Sequence, residues 1–285
     1  MESSRYKELY GNKRYYTYDM YMKNRFGGKC VKVPLDGGFT CPNIDGTKGH
    51  GGCSYCSHRI PEMRGLSLEE QYTRALEPLL KKWGKDGAGD RCIPYFQFFT
   101  NTYGSTERLR ELYYRALSLP GAIGLSIGTR ADCISESTVE LLRELNEKTY
   151  LTIELGLQTV HEETAKRINR CHTYGEFLEG YKRLEGLNIC VHLINGLPGE
   201  TEEMMVESAA EIGRLHPHQV KLHGLYIEKG CMMYDDYLDG KIQLQTLEQY
   251  AKTVCRQLEV LPPDTVIGRV TGDGDGELLA APEWS

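Results

Sequence analysis

Apolar and polar positions along this chain follow two alternating patterns. Six short runs rich in Val, Ile, Leu and aromatic residues predict buried strands. They lie at 30–36, 93–99, 122–127, 150–155, 189–194 and 219–223. Between these runs the apolar residues recur at helical spacing, which predicts helices. The helices lie at 67–83, 105–117, 137–146, 162–168, from 173 onward, 201–215 and 246–258.

Four predicted helices begin with the sequence of a capping box, in which a Ser or Thr bonds a backbone N–H and a Glu or Gln returns the bond. The pairs are Ser67 with Glu70, Ser137 with Glu140, Thr173 with Glu176, and Thr246 with Gln249. Strands that alternate with helices imply βαβ units and a parallel sheet. Six strands are too few to close an eight-stranded barrel. We therefore predict an α/β fold, a partial open (βα)6 barrel of the TIM-like kind.

The chain has 285 residues, 40% of them hydrophobic, which suits one α/β barrel. We divide it into an N-terminal arm at 1–34 and a barrel core at 35–285 with a C-terminal helix and short extension. The sequence shows no apolar run that could span a bilayer and no signal peptide. The ending at 280–285 has no cap or charged tail, which leaves the completeness of the C-terminus open.

Ten cysteines without a signal peptide indicate a reducing compartment, so we expect a cytoplasmic protein. Cys190 and Cys255 lie in apolar patterns, and we predict that both are small buried core residues. The sequence assigns no role to four other cysteines. These are Cys30, Cys133, Cys171 and Cys231.

The net charge of −6 is unevenly distributed. The arm at 1–34 carries eight Lys or Arg and three acids, a net of +5, so the remainder carries −11. The arm also holds six tyrosines. Cations attract phosphates and exposed rings stack on unpaired bases, so this composition suits RNA. An arm whose tyrosines pack on the barrel explains the composition equally well, and both interpretations stay open.

The stretch from Cys41 to Cys56 follows the first predicted strand and contains three thiols, Cys41, Cys53 and Cys56. Four glycines lie between the first two, so the backbone can wrap closely around a compact group. A disulfide does not suit a reducing compartment. A zinc site would need a fourth ligand, from Cys30, His50 or His58. An iron–sulfur cluster held by three thiolates would leave one iron open.

Polar residues lie at the C-terminal ends of the predicted strands, where α/β barrels build their sites. They include Thr100, Asn101, Arg130, Glu154, Gln158, His192, Lys221 and His223. A carboxylate inside a buried strand needs a partner or a ligand, which singles out Glu154. The structural alternative for Glu154 is an ion pair with Arg130 or Lys221. The structural alternative for His192 is a core histidine whose hydrogen bonds are satisfied by the protein. We take Glu154, Arg130 and His192 as candidate catalytic residues.

These features together resemble the radical S-adenosylmethionine (SAM) superfamily. The three-cysteine loop is similar to its cluster loop, with an eleven-residue first gap as in members resembling the Elongator catalytic subunit. The segments at 154–158, 166–173 and 192–200 are similar to its fourth- and fifth-strand motifs. Those at 14–18, 97–103, 128–133 and 271–273 resemble the bacterial YhcC/YtqA-like group.

The resemblance implies a 4Fe–4S cluster on Cys41, Cys53 and Cys56, with SAM on the open iron and a 5′-deoxyadenosyl radical as the product of its reductive cleavage. It places Tyr55 on the adenine, Glu154 and Gln158 near the ribose or methionine, and Arg170 on the methionine carboxylate. His192 is a further candidate for binding the cofactor. Thr100 and Asn101 replace the Gly-Gly-Glu that holds the methionine amine in many members. A flavodoxin- or ferredoxin-type protein is the implied electron donor.

The arm and the group resemblance together suggest a tRNA substrate, modified at a wobble uridine by converting carboxymethylaminomethyl to aminomethyl. Radical chemistry on a small molecule is the first alternative, favoured by the acidic body of the chain. A zinc-bound interaction module without catalysis is the second, and it predicts a colourless protein.

Overall fold

A computed structural model describes residues 2–57, 59–272, 274 and 276–284, with side chains from residue 6 onward. Its main sheet has seven parallel strands, in the order β1-β2-β3-β4-β5-β6-β8. These are β1 (Val31–Leu35), β2 (Cys92–Phe96), β3 (Gly124–Thr129), β4 (Tyr150–Gln158), β5 (Asn188–Asn195), β6 (Gln219–Gly224) and β8 (Val266–Arg269). A separate antiparallel pair is formed by β7 (Ile227–Glu228) and β9 (Leu279–Ala281). The predicted partial open barrel is confirmed, and β8 adds a strand beyond the six predicted.

Helices precede β1 and connect the strands. They are α1 (Glu2–Tyr10), α2 (Tyr18–Phe26), α3 (Leu68–Trp83), α4 (Thr106–Leu117), α5 (Glu136–Lys148), α6 (Glu162–Arg167), α7 (Tyr174–Arg183), α8 (Glu202–Arg214), α9 (Met233–Leu238) and α10 (Leu247–Val260). Along the described chain, no helix combines the length and apolar character needed to cross a membrane.

The two faces of β4 show why the sheet is apolar on its outer face, which lies in the main core, and polar on its inner face, which lines the interior of the barrel. Leu151, Ile153 and Leu155 are fully buried in the main core. Thr152 and Glu154 alternate with them and point to the opposite face, because successive side chains of a strand alternate. The interior of the barrel therefore receives polar groups from β4, and the neighbouring strands follow the same alternation.

Three of the four predicted capping boxes are present, at the starts of α3, α7 and α10. The prediction for α5 was wrong by two residues. Ser135 is the cap of that helix and accepts a hydrogen bond from the Thr138 backbone N–H at 3.2 Å. Ser137 lies inside the first turn, where its hydroxyl bonds Thr106 instead.

The arm packs against the N-terminal ends of the strands. The ring of Tyr21 lies 6.1 Å from that of Tyr150, the first residue of β4, and 4.8 Å from that of His218, just before β6. Tyr16 and Met22 are buried. The cysteine loop follows the C-terminal end of β1, so the arm and the loop lie at opposite ends of the barrel. This placement favours the interpretation in which the tyrosines of the arm pack on the barrel.

Residues 31–34 of the range assigned to the arm already belong to β1.

Two cysteines predicted to be buried behave differently. Cys190, in β5, is fully buried as expected. Cys255 is exposed, so that prediction was wrong. Its neighbours Val254 and Gln257 supply the buried face of α10, and the next position along a helix is rotated by about 100° to the outer face.

Candidate functional site

A cavity of about 810 Å³ opens at the C-terminal ends of the strands. Most of the predicted site residues line it. They are Cys41, Cys53, Tyr55, Cys56, Thr100, Arg130, Glu154, Gln158, Arg170 and His192. Asn101 lies behind the wall: its fully buried side-chain amide donates to the carbonyls of Phe96 at 3.0 Å and Gly128 at 2.8 Å. The structure thus brings Thr100 to the cavity but uses the Asn101 side chain to join β2 and β3.

The three thiols face this cavity from one loop. Cys53 is buried, and Cys41 and Cys56 are partly exposed. A hydrogen bond from Cys56 and the charge of Arg170 hold the pKa of the Cys53 thiol well below its usual range, although burial opposes this. The Arg170 guanidinium Nη1 lies 3.5 Å from the Cys53 sulfur. A thiolate stabilised in this way is the form that binds soft metals.

The number of ligands distinguishes one zinc ion from an iron–sulfur cluster. A structural zinc ion is almost always held by four protein ligands in a tetrahedron. A cluster held by three thiolates keeps one iron open. The cysteine loop alone supplies three thiols, one ligand fewer than a structural zinc site needs.

The candidate fourth zinc ligands do not support a zinc site either. Cys30 packs with Met22 and Tyr150 at the other end of the barrel. His50 is exposed and pairs with Asp45 as an isolated β-bridge. His58 lies outside the described residues.

The turn at 168–171 fastens the cysteine loop to the barrel. Asn43 is fully buried, and its amide donates to the Asn169 carbonyl at 2.6 Å and lies 3.6 Å from the Cys53 sulfur. The Asn169 amide in turn donates to the carbonyls of His50 and Gly52. Asn169 and Cys171 have left-handed backbone conformations, which asparagine tolerates better than most residues. These bonds hold the loop and the turn in one fixed arrangement.

Close contact between loop and turn requires glycine at position 49. A Cβ added at Gly49 would lie 2.6 Å from the Cys171 sulfur and would also collide with Asn43. Neither neighbour can move far, because both are held by the bonds of the turn. Gly49 therefore lets the loop approach the residue that follows Arg170.

Arg130 stabilises the contact between the cysteine loop and the turn at 168–171. Its guanidinium donates two hydrogen bonds to Asp132 at 2.9 Å and further bonds to the carbonyls of Arg170 and Cys171. Lys48, in the cysteine loop, pairs with Asp132 at 2.7 Å. The Arg130 donors are thus engaged with the protein itself, so its contacts are those of a positioning residue for the loop and for Arg170.

We predict that Asp132→Asn destabilises the protein by about 3 kcal/mol, because Arg130 would lose its buried counter-ion. Burial raises the pKa of the Asp132 carboxyl, but the hydrogen bonds and charge of Arg130, with Lys48, hold it well below its usual range. Because the folded pKa is depressed, this stabilisation is fully present above the unfolded pKa of about 4 and disappears as the pH falls through the folded value.

Urea unfolding of the wild type and the variant at several pH values measures this difference. Asp239→Asn, in an exposed pair with Lys241, is the matched control and should leave the free energy of unfolding unchanged. Equal unfolding free energies for wild type and Asp132→Asn at neutral pH would contradict the assignment.

Glu154 is the centre of a buried polar network on the inner face of the barrel. Its carboxylate accepts from the ammonium groups of Lys32 and Lys221, from the Tyr95 hydroxyl at 2.9 Å and from His192 Nε2 at 2.8 Å. Burial raises its pKa, but the charges of the two lysines outweigh burial and keep it well below the usual range. The ion pair of Glu154 with Lys221, which the sequence offered as a structural alternative, is therefore present. The second cation at Glu154 is Lys32 and not Arg130.

His192 is neutral in this network. Burial, followed by the charge of Lys221, lowers its pKa to about 4, and the hydrogen bond to Glu154 only partly opposes this. A neutral imidazole next to a carboxylate donates its N–H, so the proton of His192 is on Nε2. Glu154, Cys190 and His192 lie close enough to hold a metal ion, but two ammonium groups already bind the carboxylate and would repel a cation.

Arg170, Gln158 and Gly156 shape the wall beside the cysteines. The Arg170 guanidinium donates to the Gly156 carbonyl, and its Nε is buried without a hydrogen-bond partner in the described structure. Gln158 has a left-handed conformation at an irregularity in β4, and its side-chain amide lies against Gly156. One buried donor of Arg170 thus has no partner among the described residues.

Sequence analysis missed several residues that build this site. Lys32 was counted only with the basic arm, although its place between Val31 and Val33 marks it as facing inward. Asn43 and Lys48 gave no sequence signal, because their partners lie far along the chain.

Comparisons with known proteins agree with this architecture. The model of the Radical SAM superfamily matches residues 45–212, and that of the Radical_SAM C-terminal domain matches 217–285. YtqA of Bacillus subtilis is 44% identical over 96% of this chain and 85% of its own length. YhcC of Escherichia coli is 34% identical over 92% of this chain and 85% of its own. The archaeal Methanocaldococcus infernus Elp3 has a similar fold, with a TM-score of 0.64 at 19% identity over 88% of this chain.

This chain spans 58% of that Elp3 chain. The superfamily match covers more than half of the chain and two relatives exceed 30% identity over nearly all of it. The similarity to YtqA and YhcC confirms the resemblance to their group. The cofactors of the family are a 4Fe–4S cluster and SAM. The chain belongs to the radical SAM superfamily.

Proposed function

We propose that this radical SAM enzyme acts on tRNA, and that it converts a carboxymethylaminomethyl group on a wobble uridine to aminomethyl. The enzyme part is supported chiefly by one observation: three thiols and the buried guanidinium of Arg170 face one cavity at the C-terminal end of the barrel. The tRNA part is supported by the resemblance to the YhcC/YtqA-like group and by the size of the cavity.

Cys41, Cys53 and Cys56 would hold the cluster. With cluster and SAM bound, the site has the chemistry of reductive SAM cleavage and hydrogen-atom abstraction. The donors of Arg170 suit a carboxylate, and its unpartnered Nε is available for the methionine moiety. Tyr55 lines the cavity next to the cysteines, where a ring can cover the adenine. Thr100 lines the same wall, near the place where the methionine amine would bind.

The cavity is large enough for a substrate group beside the cofactor. Ligand pockets measure about 300–1,000 Å³, and this one lies near the upper end of that range. Enzymes that act on a base take it out of the stack, and anticodon loops present unpaired bases that need little energy for this step. Since the arm packs at the opposite end of the barrel, the uridine would enter from the face that carries the cysteine loop.

We also propose that a flavodoxin- or ferredoxin-type protein supplies the electron. Radical chemistry on a small molecule is the second candidate function. The net charge of −11 outside residues 1–34 and the packing of the arm tyrosines on the barrel favour it.

Nucleoside analysis of tRNA from a strain that lacks this gene tests the tRNA substrate. We expect loss of aminomethyl-type wobble uridine and accumulation of its carboxymethylaminomethyl precursor, both reversed by the wild-type gene. The purified enzyme should bind the precursor tRNA with an affinity that falls steeply with salt.

The exposed Lys13 and Arg14 can both be changed to Ala to test the arm. Weaker binding of the precursor tRNA by this variant would show that the arm contributes to the binding. An unchanged nucleoside profile together with normal SAM cleavage would refute the tRNA substrate and leave the small-molecule alternative.

A further inference from the structure

The inner face of the barrel carries more positive than negative charge next to Glu154. Lys32 and Lys221 both bind this single carboxylate, and their side chains are only 16% and 11% exposed. His192 and His223 are neutral, since burial lowers the pKa of each. Two buried ammonium groups against one carboxylate leave one positive charge without a counter-ion in this network, an arrangement that is costly unless a ligand compensates for it.

His223 adds a polar atom that the protein does not satisfy. It lies in β6, two residues after Lys221, and both side chains line the cavity. Its Nε2 is buried and has no hydrogen-bond partner among the described residues. The ring lies 5.2 Å from that of His192. Buried polar atoms are almost always satisfied, so this one points to a ligand atom.

Lys221 has donors available on the same wall. An ammonium group has three N–H donors, and in the structure Glu154 accepts one of them. The Nζ also lies 5.0 Å from the centre of the Tyr95 ring. An acceptor between Lys221 and His223 would receive one hydrogen bond from each, provided that the His223 proton is on Nε2.

We propose that Lys221 and His223 form a subsite for a carboxylate of the substrate, with Lys32 and Glu154 fixing the position of Lys221. The carboxylate would restore the charge balance and satisfy His223. The subsite lies on the inner face of the sheet, so only the tip of a group that enters through the mouth reaches it. The identity of the molecule that carries the carboxylate rests on the proposed function. On that function, the carboxylate would be the carboxymethyl end of the modified uridine.

The first test asks whether the subsite binds a carboxylate at all. The chain is labelled with ¹⁵N-histidine, loaded with its cluster, kept oxidised and titrated with acetate and, in parallel, with uncharged acetamide. We expect acetate, and not acetamide, to shift the imidazole signals of His223 and His192. His218 is the internal control, because its Nε2 is also buried without a partner but lies at the opposite end of the barrel.

The second test measures discrimination between tRNAs. Wild-type enzyme should bind tRNA with carboxymethylaminomethyl-uridine about tenfold more tightly than tRNA with aminomethyl-uridine, the effect of one charge-assisted hydrogen bond. His223→Gln should remove most of this preference. His218→Gln should leave it intact.

The outcomes separate this proposal from the proposed function. No response of His223 to acetate in the loaded, folded enzyme refutes the subsite. A response that disappears when SAM is added assigns the subsite to the methionine carboxylate and also refutes the proposal. A response that persists with SAM supports the subsite, and if tRNA then fails to bind, only the identity of the substrate is wrong.

Discussion

Cys53→Ala should abolish both the iron–sulfur cluster and the formation of 5′-deoxyadenosine. Cys53 is the most buried of the three loop thiols, and the Arg170 guanidinium and the Asn43 amide both lie beside its sulfur. Loss of one of three thiolates leaves two protein ligands for a cluster that is normally held by four. After anaerobic reconstitution, we expect the iron and sulfide content to fall to background and SAM cleavage to drop at least a thousandfold.

Iron and sulfide analysis, the visible absorption spectrum and chromatographic assay of 5′-deoxyadenosine measure these effects. Cys255→Ala is the matched control, because Cys255 is an exposed thiol on α10 and should change none of them. Retention of a full cluster and of activity by Cys53→Ala would show that other ligands hold the metal. A wild-type protein that stays colourless and binds zinc would support the interaction module instead.

The parts of this structure that depend on local sequence could be predicted. In β4, Leu151, Ile153 and Leu155 alternate with polar residues, and this spacing is sufficient to show a strand with one apolar face. The cysteine loop follows from its composition and from its place after the first strand. In both cases the signal lies within about fifteen residues, so no knowledge of distant partners is needed.

Features that depend on strand register could not be predicted. Lys32 and Glu154 are 122 positions apart, and their ion pair exists because β1 and β4 both turn these side chains into the same barrel. Asn43 and Asn169, which fasten the cysteine loop, are separated by 126 positions. The sequence offered Lys221 as one alternative partner of Glu154, but the pair of Lys32 with Glu154 and the contact of Asn43 with Asn169 emerge only when the sheet is assembled.

The short strand β8 was not predicted from the sequence, for a different reason. Strand β8 has four residues, one of them Gly268, and lies soon after two prolines. Such a segment looks like a loop, because glycine and proline are depleted in strands. Its pairing with β6 supplies the regularity that its own composition lacks.

Glu154→Gln should destabilise the folded protein by about 3–5 kcal/mol, because removal of one partner from a buried ion pair leaves uncompensated charge. The variant keeps the shape of the side chain but leaves the ammonium groups of Lys32 and Lys221 without a counter-ion. The folded pKa of Glu154 is depressed. The stabilisation is therefore complete above the unfolded pKa of about 4.3 and decreases as the pH falls through the folded pKa.

Denaturant unfolding of four proteins tests this network: wild type, Glu154→Gln, Lys32→Met and the double variant. If charge imbalance is the cause, Lys32→Met should cost less in the Glu154→Gln background than in the wild type, because it then removes an unpaired charge. Glu77→Gln, in an exposed helical pair with Lys81, is the control and should have no measurable effect. Strictly additive effects of Glu154→Gln and Lys32→Met would show that the two residues contribute independently. The excess positive charge assigned to the inner face of the barrel would then be wrong, and with it the physical reason for placing a substrate carboxylate beside Lys221.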